Sequence, residues 1–162
     1  MTAGSTDVLV LGLGNLLLSD DGLGLRLLKA LAAEGLPAEF LDGGTQGLAL
    51  LAHLEGRRAL IILDAVALGA PPGAVHVLRG DAISAHHAAT AHGSNALELL
   101  AIARLLGDLP PSVTIVGIEP DCIRAGIGLS PAVEAALPEA LARAREALES
   151  ALAAPPAERQ TA

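Results

Sequence analysis

The chain has 162 residues, enough for one domain of ordinary size. Its formal charge of −8 argues against nucleic acid, whose phosphates are bound by clustered Lys and Arg. Phe40 is the only aromatic residue, so Leu, Ala, Val and Ile must fill the core, and Cys122, the only cysteine, excludes an internal disulfide and any thiolate-rich zinc site.

No charge-free apolar run reaches the ~18 residues of a membrane span. The opening "MTAGSTD" has neither the basic start nor the apolar run of a signal peptide, so the expected location is the cytoplasm. Residues 7–13 read as a strand, and residues 22–34 as a helix with Leu23, Leu27, Leu28 and Leu31 on one face. A second strand is expected over 38–41 and a short helix over 47–54. "ALIIL", residues 59–63, is apolar throughout, as a central parallel strand covered on both faces must be. Residues 74–78 follow the turn signal "APPG" and are expected to pair with residues 59–63 as an antiparallel edge.

Residues 80–93 are polar and histidine-rich and read as a loop. Asn95 with Glu98 resembles a capping box opening a helix to Leu106, and residues 113–117 are another strand. Ser130 then Pro131 is a helix start, and Pro138 is expected to kink or restart that helix. The alternation implies an α/β fold: one three-layer αβα domain over residues 1–154, its twisted sheet mostly parallel with room for one antiparallel edge strand. Residues 155–162 are expected to be a disordered tail.

In such sheets ligands bind beyond the carboxyl ends of the strands, where strand order reverses. Asp20 and Asp21 follow the first strand, Asp64 ends "LIILD", and His92 stands just before the Asn95 helix. An acid from the first pair, Asp64 and His92 would make a three-ligand metal site with open positions for water or substrate. Either member of the pair could instead cap a helix, where aspartate is stabilising. Asp64 is harder to explain that way, because an acid behind five apolar residues tends to be buried and then needs a partner. His86 and His87 compete with His92 for the imidazole role.

A dinucleotide site is the rival reading of the first loop. Gly12 and Gly14 match the first two glycines of G-x-G-x-x-G, and Asp42 ends the second strand where a ribose-binding acid would lie. The third glycine position is Leu17, however, and Asp20 and Asp21 would face a pyrophosphate. Two like charges at ~5 Å and an effective dielectric of ~20 repel by roughly 3 kcal/mol. Ser94 lies near His92, but no G-x-S-x-G elbow surrounds it to suggest a serine hydrolase.

The segments "GLGNLLLSDDGLG", "LDGGTQG", "LIILDAV", "TAHGSNALELLAIARLLG" and "IVGIEPD", followed by "IGLSPAVEAALP", closely resemble in order and spacing the hydrogenase maturation proteases. These endopeptidases remove a C-terminal extension from the large subunit of nickel-iron hydrogenases. The resemblance covers about residues 8–138. It implies that Asp21, Asp64 and His92 are the metal ligands and catalytic residues, with His86 as the alternative histidine. It also implies that "DGGT", Asp42, Gly43, Gly44 and Thr45, contacts substrate.

Many relatives have Glu where this chain has Asp21, so the carboxylate here must sit ~1.5 Å closer to the backbone. The implied partner is the precursor of a nickel-iron hydrogenase large subunit, with no nucleic acid, membrane or nucleotide. Nickel would arrive with that subunit, and zinc or cadmium could stand in for it, because an O, O, N donor set suits borderline divalent ions. A noncatalytic nickel-sensing chaperone would share the same ligands and differ only in turnover.

Overall fold

The structure, a computed structural model, describes residues 6–89 and 95–155. Five strands, β1 (Val8–Leu13), β2 (Glu39–Gly44), β3 (Ala59–Ala65), β4 (Val75–Arg79) and β5 (Ser112–Ile118), form one sheet in the order β2-β1-β3-β5-β4. All neighbours are parallel except β4 with β5. The expected antiparallel edge is therefore β4, but its partner is β5 and not β3. The reason lies in β5: Thr114 to Ile118 are buried, so β5 needs an interior place, and it takes the one beside β3 with a seven-residue register.

Helix α1 (Leu23–Ala32) and the long α5 (Pro131–Ala153) cover one face. The predicted stripe of α1 is buried: Leu23, Leu27, Leu28 and Leu31 pack with Val8, Val10, Ile61 and Leu63. Gly24 makes that approach possible, because a Cβ there would overlap the carbonyl oxygens of Leu13 and Leu63. The α5 helix runs unbroken through Pro138, where a kink or restart was expected. Burial of Val133 and Ala136 on one side of the proline, and of Ala140 and Ala144 on the other, holds both halves against the sheet.

The opposite face is covered by the short α2 (Leu51–Leu54) and by α4 (Asn95–Leu106), whose Ala96, Leu97, Leu99, Leu100 and Ala103 pack with Leu9, Leu11, Ile62 and Ile115. The segment expected to be a loop over 80–93 instead holds a helix, α3 (Asp81–Ala89), which takes in His86 and His87. Its sequence has weak apolar periodicity, which is why the pattern hid it. Among the described residues, no helix is long and apolar enough to cross a membrane.

The sheet reverses its winding between β1 and β3, since β2 lies to one side of β1 and β3 to the other. The crevice beyond their carboxyl ends is the topological switch point.

Candidate functional site

Two loops meet at that crevice. The loop after β1 turns sharply at Gly14, whose φ of 132° lies in the region glycine favours and where a Cβ would overlap the carbonyl oxygen of Asp21. It ends in a 3-10 turn, Ser19–Gly22, that carries both adjacent acids. Asp64 is the sixth residue of β3, a strand buried at its first six positions, and the second loop follows Ala65.

The two adjacent aspartates do different work. Asp20 is fully buried and its carboxylate is saturated with donors. Oδ2 accepts hydrogen bonds from Asp121 N at 2.8 Å, Cys122 N at 3.1 Å and Ser130 Oγ at 2.8 Å, while Oδ1 accepts one from Ser130 N at 2.7 Å. Burial pushes its proton affinity up, but the bonds from Ser130, Cys122 and Asp121 outweigh that and hold Asp20 below the usual carboxylate range.

Asp21 is only partly buried, and its Oδ2 accepts one hydrogen bond, from Asn15 N at 2.9 Å. Asp64 is 6% exposed, and its Oδ1 accepts one from Ala65 N at 2.8 Å. Burial raises the Asp64 pKa to about 7, the Ala65 N–H opposes the rise, and the negative charge of Asp21 adds to it. The Asp21 charge is thus felt at Asp64, and among the described residues one oxygen of each carboxylate carries the hydrogen bond given above. Like charges held together with few donors form a site that a proton or a cation relieves. Among the described residues no third His, Cys, Asp or Glu joins them in a cluster able to hold a metal. His92 lies outside the described residues, and His86 lies on α3.

The "DGGT" segment lies beside the Asp21 loop, joined to it by Gly14 N donating to Gly44 O at 3.0 Å. Asp42 is exposed and its Oδ1 accepts from Gly44 N at 2.9 Å, which fixes the turn, whereas Gly43 is buried against Leu11, Leu13 and Leu50, where a Cβ would crowd all three. Thr45 is exposed.

A buried acid that sequence reasoning passed over is Glu119, at 5% exposure. Its carboxylate accepts hydrogen bonds from Leu68 N (2.9 Å to Oε2, 3.1 Å to Oε1), from Gly69 N (3.0 Å) and from His76 Nε2 (2.8 Å). The signal was available: "IVGIE" puts an acid behind an apolar strand just as "LIILD" does. Residues 119–122 therefore tie the site together. Glu119 fastens the loop that follows Asp64, and the amides of Asp121 and Cys122 are fastened by Asp20, next to Asp21.

A single α/β domain with a carboxylate pair at its switch point defines a class of enzymes that work on a ligand at the sheet rim. The family model described as "Hydrogenase maturation protease" matches residues 25–147. The hydrogenase 2 maturation protease of Escherichia coli is 39% identical over 158 residues, 93% of this chain and 96% of that protein. The hydrogenase expression/formation protein HupD of Rhodobacter capsulatus is 40% identical over 144 residues, 85% of this chain and 69% of that protein. Among solved structures, the hydrogenase maturating endopeptidase HybD from E. coli superposes with a TM-score of 0.78 at 35% identity, covering 88% of this chain and 92% of that one. The [NiFe] hydrogenase maturation protease HybD from Thermococcus kodakarensis gives 0.72 at 32% identity, covering 86% and 97%.

The chain belongs to the hydrogenase maturation protease family, and it is an endopeptidase of hydrogenase maturation. The noncatalytic and dinucleotide-binding readings are not favoured.

Proposed function

We propose that this endopeptidase removes a C-terminal extension from the nickel-loaded precursor of a nickel-iron hydrogenase large subunit, using Asp21, Asp64 and His92. The observation that carries the reading is the placement of Asp21 and Asp64 at the ends of the neighbouring strands β1 and β3, with the Asp64 carboxyl raised to about 7 by burial and by the Asp21 charge. Such a pair suits a divalent ion brought in by the substrate, and it would accept nickel, zinc or cadmium through the second oxygen of each carboxylate.

His92 as the third donor is supported by the path of α4. That helix leads down to β5, whose first residue lies at the opposite rim, so α4 starts on the carboxyl side, three residues after His92. A bound ion would supply Lewis-acid polarisation of the carbonyl beside it. If Asp64 is not bound to the ion, its pKa near 7 would suit it to take a proton from an attacking water at neutral pH. The exposed Asp42 and Thr45, with Gly43 and Gly44, would line the approach of the substrate chain, because their turn is bonded to the Asp21 loop. The reaction is placed in the cytoplasm, in keeping with a chain that carries one cysteine.

The test is incubation with a nickel-loaded and a nickel-free precursor, followed by intact-mass measurement of each. Loss of a C-terminal peptide from the loaded form alone is expected. An unchanged mass in both would refute the proposal.

A further inference from the structure

Large apolar side chains stand exposed around the carboxyl rim, and four of them belong together. Leu16 and Leu17, 50% and 62% exposed, lie on the loop after β1, and Ile123 and Ile127, 51% and 86% exposed, lie on the loop after β5. The two loops are bonded to each other. Ser19 N donates to Gly126 O at 2.8 Å, Gly126 N donates to Leu17 O at 2.9 Å, and Ser19 Oγ donates to Arg124 O at 2.9 Å. Leu18 and Gly126 form a parallel bridge, and Ser19 holds the reversal with a φ of 49°, uncommon for a residue other than glycine. Apolar side chains on so well fixed a backbone are a surface ready for a partner, because the ordering cost has been met in folding.

We infer that Leu16, Leu17, Ile123 and Ile127 form a docking platform for an apolar stretch of the polypeptide substrate flanking its scissile bond. The inference rests on the reading that cleavage occurs at Asp21 and Asp64. The occupant follows from continuity: Leu16 packs against Gly22, the residue after Asp21, so the platform abuts the carboxylate pair. An extended chain advances ~3.3 Å per residue, so residues within a few positions of the cleaved bond must cross it. A second copy of the chain docked face to face here would cover Asp21 and Asp64 and block the reaction.

The test is single-turnover cleavage of the nickel-loaded large-subunit precursor by wild type, by Leu17→Ser/Ile127→Ser and by Leu16→Ser/Ile123→Ser. The control is Leu105→Ser/Leu106→Ser, at the end of α4 on the opposite rim. Both platform variants are expected to raise the half-saturating protein concentration tenfold or more, with the maximal rate reduced less than threefold, while the control matches wild type. Unchanged half-saturation in both platform variants would overturn the inference, and so would a wild-type dimer that these substitutions dissolve. If wild type binds without cutting, the cleavage assignment fails on its own. The platform is then read from co-elution with the precursor, lost in the platform variants and kept in the control; co-elution retained by both platform variants would overturn it.

Discussion

Asp20 and Ser130 lie 110 positions apart and are joined twice, by Ser130 N to Oδ1 at 2.7 Å and by Ser130 Oγ to Oδ2 at 2.8 Å. The same carboxylate holds the amides of Asp121 and Cys122, so one buried acid fastens the start of α5 and the loop after β5 to the loop that presents Asp21. Its neighbour in sequence is thereby left to face Asp64.

Asp20→Ala should be among the most destabilising single changes in the chain. It strands three amides and a hydroxyl, and each buried unsatisfied group costs ~1–3 kcal/mol. A loss of roughly 3 kcal/mol or more is expected, read as the urea midpoint. Because its folded pKa is depressed, the stabilisation from Asp20 is present above the unfolded value and is lost as pH falls through the folded one. A wild-type midpoint in Asp20→Ala would contradict the clamp.

Asp64 has the opposite sign. Its folded pKa of about 7 lies above the unfolded value of 3.8, so the folded state binds the extra proton and stability falls as pH rises between the two. Asp64→Asn should therefore match wild type near pH 4 and exceed it above pH 7, by an amount on the order of 4 kcal/mol at most. Carbon-13 titration of the Asp64 carboxyl should also show its pKa drop in Asp21→Asn, since the Asp21 charge raises it. A pKa unmoved by that substitution would mean that the two carboxylates do not share a space.

Glu119→Gln should loosen the loop after Asp64. Leu68 and Gly69 donate to this carboxylate, so their amides should exchange with solvent faster, at a stability cost of ~1–3 kcal/mol. Unchanged protection at both amides would rule out the tie.

Much of this could be read from the residues alone. The α1 stripe, the apolar run of β3, the position of Asp64 and the mostly parallel α/β class are local or compositional patterns. Two features could not be read in that way. Helix α3 has almost no apolar face to mark it, so its polar composition looked like loop. The separate roles of Asp20 and Asp21 depend on amides more than a hundred positions away, and no window of sequence contains both partners. The partner of β4 was misjudged for a related reason, since it depends on which strand most needs the interior.

A divalent ion and a dinucleotide should give opposite results. Titration with NAD(H) should produce no saturable heat, whereas nickel or zinc should raise the melting temperature, with ~2.7 kcal/mol expected at a hundredfold excess over Kd. The metal effect should weaken below pH 7, where Asp64 takes up a proton, and vanish in Asp21→Asn/Asp64→Asn. Saturable NAD(H) binding would overturn the assignment of the rim.

The most direct test is the rate at which Asp64→Asn, checked for folding by its melting temperature, cuts the nickel-loaded precursor at pH 8. Substitution to Asn keeps the shape and the Ala65 contact while removing the anion, so the rate of mass loss should fall by ~100-fold or more if Asp64 is a ligand or base. Cleavage at the wild-type rate would show that the chemistry occurs elsewhere in the molecule.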